Sequence, residues 1–179
     1  APKLKRKLKN EQLDATRRKY GVSVIYSDDQ GKTWKVGGDT GADHGANESR
    51  LVELSDGTVM INARGAAAEH TADRKSTLNG RVFSFSSDGG ETFKDTAARH
   101  DPFVFPTDAG LIRLPENNAL LYSYPADRKS RTRMTVAISH DDGKTWPQQK
   151  LIYENGGCYS DLVLLPDGQI GLLYGKDVP

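Results

Sequence analysis

Apolar and polar residues alternate along most of this chain, in short runs closed by turns. "GVSVIYS" at 21–27, "RVFSFSS" at 81–87 and "MTVAISH" at 134–140 carry a two-residue period and many β-branched or aromatic side chains. That pattern predicts half-buried strands. "LVELSDGTVMINAR" at 51–64, "LIRLPENNALLYSY" at 111–124 and "LVLLPDGQIGLLYG" at 162–175 share a second plan: an apolar strand ending in Leu, a turn, then another apolar strand. Asp56-Gly57 and Asp167-Gly168 are strong hairpin signals, because glycine takes a positive φ without a Cβ clash. Asn117-Asn118 fills the same place less easily. No segment holds a long helical stripe.

The first set of strands leads into one repeated turn. "SDDQGKTW" at 27–34, "SSDGGETF" at 86–93 and "SHDDGKTW" at 139–146 all read Ser-x-Asp-x-Gly-x-Thr-aromatic, 59 and then 53 residues apart. Leu54, Leu114 and Leu165 repeat at nearly the same period, so the two hairpins alternate. Two hairpins per period make four strands, the size of a propeller blade. The expected fold is therefore all-β, a β-propeller with about three blades in residues 20–179. In the repeated turn the Asp carboxylate can accept backbone N–H bonds and Gly can supply the left-handed position. Trp34, Phe93 and Trp146 are expected to fold back and bury their rings. The turn reads as a hairpin clip; the spacing of a calcium loop is not met.

Composition adds boundaries. The 179 residues suffice for one domain with a sizeable core. Charge is balanced, 25 Lys and Arg against 24 Asp and Glu, so the total gives no reason to expect nucleic acid. Residues 1–19 form a basic arm or loop in which Leu4, Leu8 and Leu13 could share one side of a short helix. No apolar run is long enough to span a bilayer, and no secretory signal is visible. Cys158 is the single cysteine, which excludes an internal disulfide and a Cys-based zinc site. His44 and His70 have no partner at metal-ligand spacing. Asp43-His44 reads as loop chemistry, and "GAAAEH" at 65–70 as a rim segment. No cofactor and no metal are expected.

The clip, repeated at this spacing, resembles the Asp-box of sialidases (neuraminidases). Three further stretches sharpen the resemblance. "GANESRLVELSDGTVMINAR" at 45–64 is similar to the sialidase Asn-Glu segment that ends in an active-site Arg. "SRTRMTVAISHDDGKTW" at 130–146 is similar to the segment in which an Arg precedes the strand into an Asp-box. "GGCYSDLVLLPDGQIGLLYG" at 156–175 is similar to the segment holding the sialidase nucleophile. They fall in the family's chain order, and the likeness is strongest to bacterial exo-α-sialidases. It implies a retaining glycoside hydrolase in which Tyr159 is the nucleophile and Glu48 its partner. Arg64 and Arg131 would be the second and third arginines on the sialic acid carboxylate, with Arg133 a rival for Arg131. The partners implied are sialylated glycans, met by a secreted or periplasmic enzyme.

Two departures stand out. Nothing in residues 1–20 resembles the family segments that carry the first arginine and the acid/base aspartate; Arg17 and Arg18 lack matching context. The family propeller has six blades against about three here. The chain is therefore expected to be the C-terminal half of a catalytic domain, completed by a missing half or another copy of itself.

The chemistry of these residue types is consistent with those roles. A carboxylate ligand suits the planar guanidinium fork, which Lys cannot reproduce. A phenol is a poor nucleophile at neutral pH unless a carboxylate takes its proton as attack proceeds. A neutral nucleophile also avoids repulsion by the substrate's own carboxylate. Each residue has a plainer reading as well: Arg64 as a surface ion-pair partner, Tyr159 as packing, Glu48 as a loop acid. Asp161 could tune a pocket or pair with an arginine. Two other readings of the whole stay open, a non-catalytic propeller that binds acidic sugars and a purely structural Asp-box repeat.

Overall fold

A computed structural model of the protein describes residues 21–41, 46–65, 80–99 and 107–177. The basic arm at 1–19, Asp43, His44, His70 and most of the 65–70 segment lie outside them. All described secondary structure is β. The strands are β1 (Ser23–Tyr26), β2 (Lys35–Asp39), β3 (Ala46–Glu53), β4 (Val59–Gly65), β5 (Arg81–Ser86) and β6 (Lys94–Arg99). They continue as β7 (Gly110–Leu114), β8 (Ala119–Pro125), β9 (Thr132–Ser139), β10 (Gln148–Leu164) and β11 (Ile170–Lys176).

Every pairing is antiparallel and joins neighbours in sequence. β3 to β6 form one four-stranded sheet. β7, β8, β9 and the first part of β10 form the next, with Gln148–Gly156 of β10 pairing with β9. The second part of β10, Gly157–Leu164, pairs with β11 and begins another sheet. β1 and β2 form the hairpin that precedes the first complete sheet. The result is two four-stranded blades flanked by two hairpins, in agreement with the count of about three periods. β3 lies beside β7, and β7 beside β10, so the first strands of successive sheets are neighbours.

The hydrophobic cores lie between sheets, and strand alternation explains why. In β4, Met60 joins a cluster with Val52, Leu111, Leu120, Tyr122 and Ala137. Ile61 and Ala63, on the opposite face, join a second cluster with Val24, Ala46 and Val82. β4 thus serves two cores and is buried almost throughout, as is β8. A strand covered on both faces carries a run of apolar residues rather than strict alternation. One polar exception is Arg81, which is 1% exposed. It donates from Nε to Asn62 Oδ1 (2.6 Å), from Nη2 to Asn62 O (3.2 Å) and from Nη1 to Thr107 O (2.7 Å). Its cation therefore ties β4 to the segment leading into β7.

The predicted turns form as expected. Gly57, Asn118 and Gly168 have φ of 84°, 53° and 82°. The three clips repeat one network. Ser27, Ser86 and Ser139 each donate to the clip aspartate, at 2.8, 2.7 and 2.7 Å. Each aspartate accepts the threonine amide on one oxygen and the threonine hydroxyl on the other. These bonds hold Asp29 and Asp141 at a pKa of about 2, with the Thr33 and Thr145 hydroxyls the largest causes. Asp88 is likewise pulled far down, first by Thr92 and then by Ser86.

The clips differ at two points from the sequence expectation. The residue before the clip glycine is also left-handed, including Gln30 (φ 61°) and Asp142 (φ 58°). Trp146 packs at 5.4 Å against Tyr122, and Phe93 packs on the second core, but Trp34 stays 60% exposed. The reason is local: Trp146 and Phe93 close hairpins inside four-stranded sheets, whereas Trp34 closes the two-stranded β1–β2 hairpin. The third clip is also bolted to its neighbour. Arg113 Nη2 holds Asp142 Oδ1 at 2.5 Å, and Asp142 Oδ2 accepts from the Ser55 hydroxyl at 2.5 Å.

Candidate active site

Strand register separates the clips from the expected site residues. Ser86, which opens the second clip, pairs with Val59 at one end of β4, whereas Arg64 is at the other end, opposite Arg81. Ser139, which opens the third clip, pairs with Leu120 at the start of β8, and Pro125 at its other end pairs with Met134, close to Arg131. Glu48 lies near the start of β3, away from the Leu54–Thr58 turn. Gly156 pairs with Thr132, so β10 reaches Tyr159 just past the Arg131 end of β9. Glu48, Arg64, Arg131 and Tyr159 therefore all lie at the ends of strands remote from the clips.

Tyr159 occupies a β-bulge. Cys158 pairs with Gly175 and Ser160 with Tyr174, so Tyr159 is the extra residue in β10. Its φ is 46°, a left-handed value that is unfavourable for a residue with a Cβ. A bulge of this kind re-aims a side chain. Here the ring is 42% exposed while Cys158 and Ser160 on either side are buried. Sequence alternation alone could not place this bulge.

Arg131 and Arg133 part company. The Arg131 guanidinium lies 5.4 Å from the Tyr159 ring centre, and its backbone O accepts the Gly157 amide at 2.6 Å. Arg133 has a φ of 62° and pairs through Nη1 with Glu154 Oε1 at 2.6 Å, an exposed contact. The left-handed turn of Arg133 breaks the alternation that would have put both arginines on one face. Cys158 sits between the groups of interest: burial pushes its thiol up, Arg131 opposes this by charge and hydrogen bond, and Glu48 adds to it.

Glu48 and Arg64 meet each other. Arg64 Nη1 donates to Glu48 Oε2 at 2.9 Å, and the Arg64 side chain is almost fully buried. The pair spans the start of β3 and the end of β4, neighbours through the register Ala46–Gly65. The Glu48 carboxylate is thus engaged by Arg64 rather than by the Tyr159 hydroxyl. Its Oε1 carries no hydrogen bond among the described residues. Asn47 Oδ1 accepts the Glu48 amide at 2.7 Å, which gives the Asn a local positioning role.

Two groups that the sequence reading left aside also belong to this region. Ser160 is buried, and its Oγ accepts from Gly110 N (3.2 Å) and Ser123 Oγ (2.8 Å) while donating to Ser123 O (3.0 Å). Arg50 reaches Asp108, Ser160 and Asp161. Asp161 thus pairs with an arginine, one of the two roles open to it. Neither Ser160 nor Arg50 stands out in sequence, because the partners that join them to other strands are 37 or more residues away. Among the described residues no group of three or more His, Cys, Asp or Glu is placed to hold a metal ion.

The sheets define the class first: a segment of an Asp-box β-propeller, with arginines, a carboxylate and a bulged tyrosine gathered at the ends remote from the clips. Residues 9–172 match the BNR repeat-like domain family, and the chain belongs to that family. It is 37% identical to a sialidase of Micromonospora viridifaciens over 158 residues, which are 84% of this chain and 23% of that protein. It is 27% identical to a sialidase of Bacteroides fragilis (strain YCH46) over 176 residues, 93% of this chain and 30% of that protein. Among solved structures, Hadza microbial sialidase Hz136 superposes with a TM-score of 0.68 at 27% identity, over 85% of this chain and 29% of that one. The leech intramolecular trans-sialidase, solved with 2,7-anhydro-Neu5Ac, gives a TM-score of 0.65 at 25% identity, over 85% and 24%. The chain therefore spans less than a third of the length of these relatives.

Proposed function

We propose that this chain supplies the nucleophile side of a retaining exo-α-sialidase that removes terminal sialic acids from glycoconjugates. The observation that carries the reading is the Arg131 guanidinium beside the ring of Tyr159, a bulged and partly exposed tyrosine, at the same strand ends as Glu48 and Arg64. The 37% identity to a sialidase supports it.

In this reading Tyr159 Oη attacks the anomeric carbon, and its proton passes to Glu48, whose Oε1 carries no hydrogen bond among the described residues. A carbon–oxygen bond forms to Tyr159 as the bond to the aglycone oxygen breaks. Water then releases the sugar and the phenol recovers its proton. The Arg64–Glu48 contact orients that carboxylate until attack, and Arg64 and Arg131 receive the substrate carboxylate. Their charge favours the sugar acid without placing a second anion at the reacting carbon. The reaction also needs a proton donor for the aglycone and a third arginine. The sialidase resemblance assigns these to an N-terminal part of the catalytic domain. The substrates are sialylated glycans, reached by a secreted or periplasmic protein. Among the described residues no helix is long and apolar enough to cross a membrane.

A fluorinated sialoside traps the sugar–enzyme intermediate. After peptide mapping by mass spectrometry the label is expected on Tyr159; a label on another residue overturns the assignment. Sialoside binding with no label at all would instead favour a sugar-binding propeller.

A further inference from the structure

β3, β7 and the second part of β10 are side-by-side strands from three successive sheets. Glu48 is on the first and Tyr159 on the last. Their separation depends on how well these strands are fixed to one another, and a single side chain spans them. Arg50, two residues after Glu48, sends Nη2 to Asp108 Oδ2 at 2.9 Å, just ahead of β7, and donates from it to Ser160 O at 3.2 Å. Nη1 donates to Ser49 O at 3.3 Å. Nε is buried without a hydrogen-bond partner and faces Asp161 Oδ1 at 3.6 Å. Both carboxylates are themselves anchored: Asp108 Oδ1 accepts Ala109 N at 2.9 Å, and Asp161 Oδ1 accepts Leu162 N at 3.0 Å.

Ser160 follows the nucleophile candidate directly. Its hydroxyl is locked by β7 and β8, and its carbonyl by Arg50. Tyr159 itself has the left-handed φ of 46°. Such a conformation persists only where the surroundings over-determine it. The segment after Tyr159 is gripped from two sides, and one grip comes from the strand of Glu48.

We infer that Arg50 is a positioning residue for sialoside cleavage: it clamps β10 to β3 and so sets the placement of Tyr159 against Glu48. The inference rests on the proposed function. Arginine is required because the acceptors lie in different directions. A lysine keeps the charge but has one nitrogen and no planar fork.

The test compares wild type with Arg50→Lys and Arg50→Met in the full-length protein, with two readouts. Amide exchange of residues 158–162 should accelerate about tenfold in Arg50→Lys, with β8 and β9 amides unchanged, as local opening replaces the clamp. Labelling by the fluorinated sialoside should slow by about 10–100-fold in its rate constant while the half-saturating concentration stays nearly constant, the signature of misplacement rather than lost binding. Arg50→Met should show the same pattern more strongly; if it fails to fold, the lysine variant still decides. Unchanged exchange at 158–162 overturns the clamp. Faster exchange with unchanged labelling also overturns the inference, because Arg50 would then serve the fold alone. Absence of label on Tyr159 in the wild type strikes the sialidase reading, while exchange still reports whether Arg50 holds the segment.

Discussion

The guanidinium of Arg131 lies 5.4 Å from the centre of the Tyr159 ring. At that distance a cation and a π face attract each other. The loop before β9 brings the arginine there by accepting the Gly157 amide on the Arg131 carbonyl. Neighbouring Arg133 is turned away to Glu154.

That relationship can be tested by substitution. Tyr159→Phe keeps the ring and its contact with Arg131 but removes the oxygen proposed to attack. Sialoside turnover and covalent labelling should be lost, and folding stability should change by less than about 0.5 kcal/mol, as for a partly exposed site. Arg131→Lys should weaken binding of a sialic acid analogue by about tenfold or more, measured by calorimetry, because the fork is gone.

The clips predict a defined acid limb. Folding holds Asp29 and Asp141 at about 2, below the 3.8 of a free aspartate. A carboxyl depressed in the native state stabilises the fold above its unfolded pKa and loses that contribution as pH falls through the folded pKa. Melting temperature should therefore fall progressively from about pH 5 to pH 2. Asp141→Asn should flatten part of that fall. A curve with the same slope in wild type and variant would exclude the clip as its source.

Gly110 is required by close approach. A Cβ there would meet Ser123 Oγ at 2.5 Å, with Asp161 Cα and Leu162 N both at 3.2 Å. Gly110→Ala should destabilise by about 1–3 kcal/mol, through overpacking and loss of the Ser160 network. The urea midpoint should drop with little change in slope.

Arg81 provides a contrast with surface arginines. Arg81→Met removes donors to Asn62 Oδ1, Asn62 O and Thr107 O inside the protein. Stranded buried acceptors should cost about 3 kcal/mol in chemical unfolding. A loss below about 0.5 kcal/mol, the range of ordinary surface substitutions, would show that the site repacks or admits water.

Much of the fold was legible in local chemistry. Turn residues with positive φ, two-residue alternation and three copies of an eight-residue clip act within a few positions of one another. They fix strand ends, hairpins and period wherever the chain is placed. Glu48, Arg64, Arg131 and Tyr159 were singled out by resemblance, since each sits in a recognisable local motif. Their geometry was not. Whether Arg131 or Arg133 faces Tyr159 depends on a left-handed residue at Arg133 and a bulge at Tyr159, and nothing in the alternation announces either. The exposure of Trp34 is a second case, because its clip has the same sequence pattern as the two whose aromatics pack on a core but closes a hairpin that is two-stranded among the described residues. Arg50, Arg81 and Ser160 were silent in sequence for a common reason. Their partners lie on other strands, and an ion pair or buried hydrogen bond has meaning only once the chain has brought both groups together. Sequence determined the repeating unit, because turns and strands are short-range; tertiary structure decided the site, because its contacts cross from one sheet to the next.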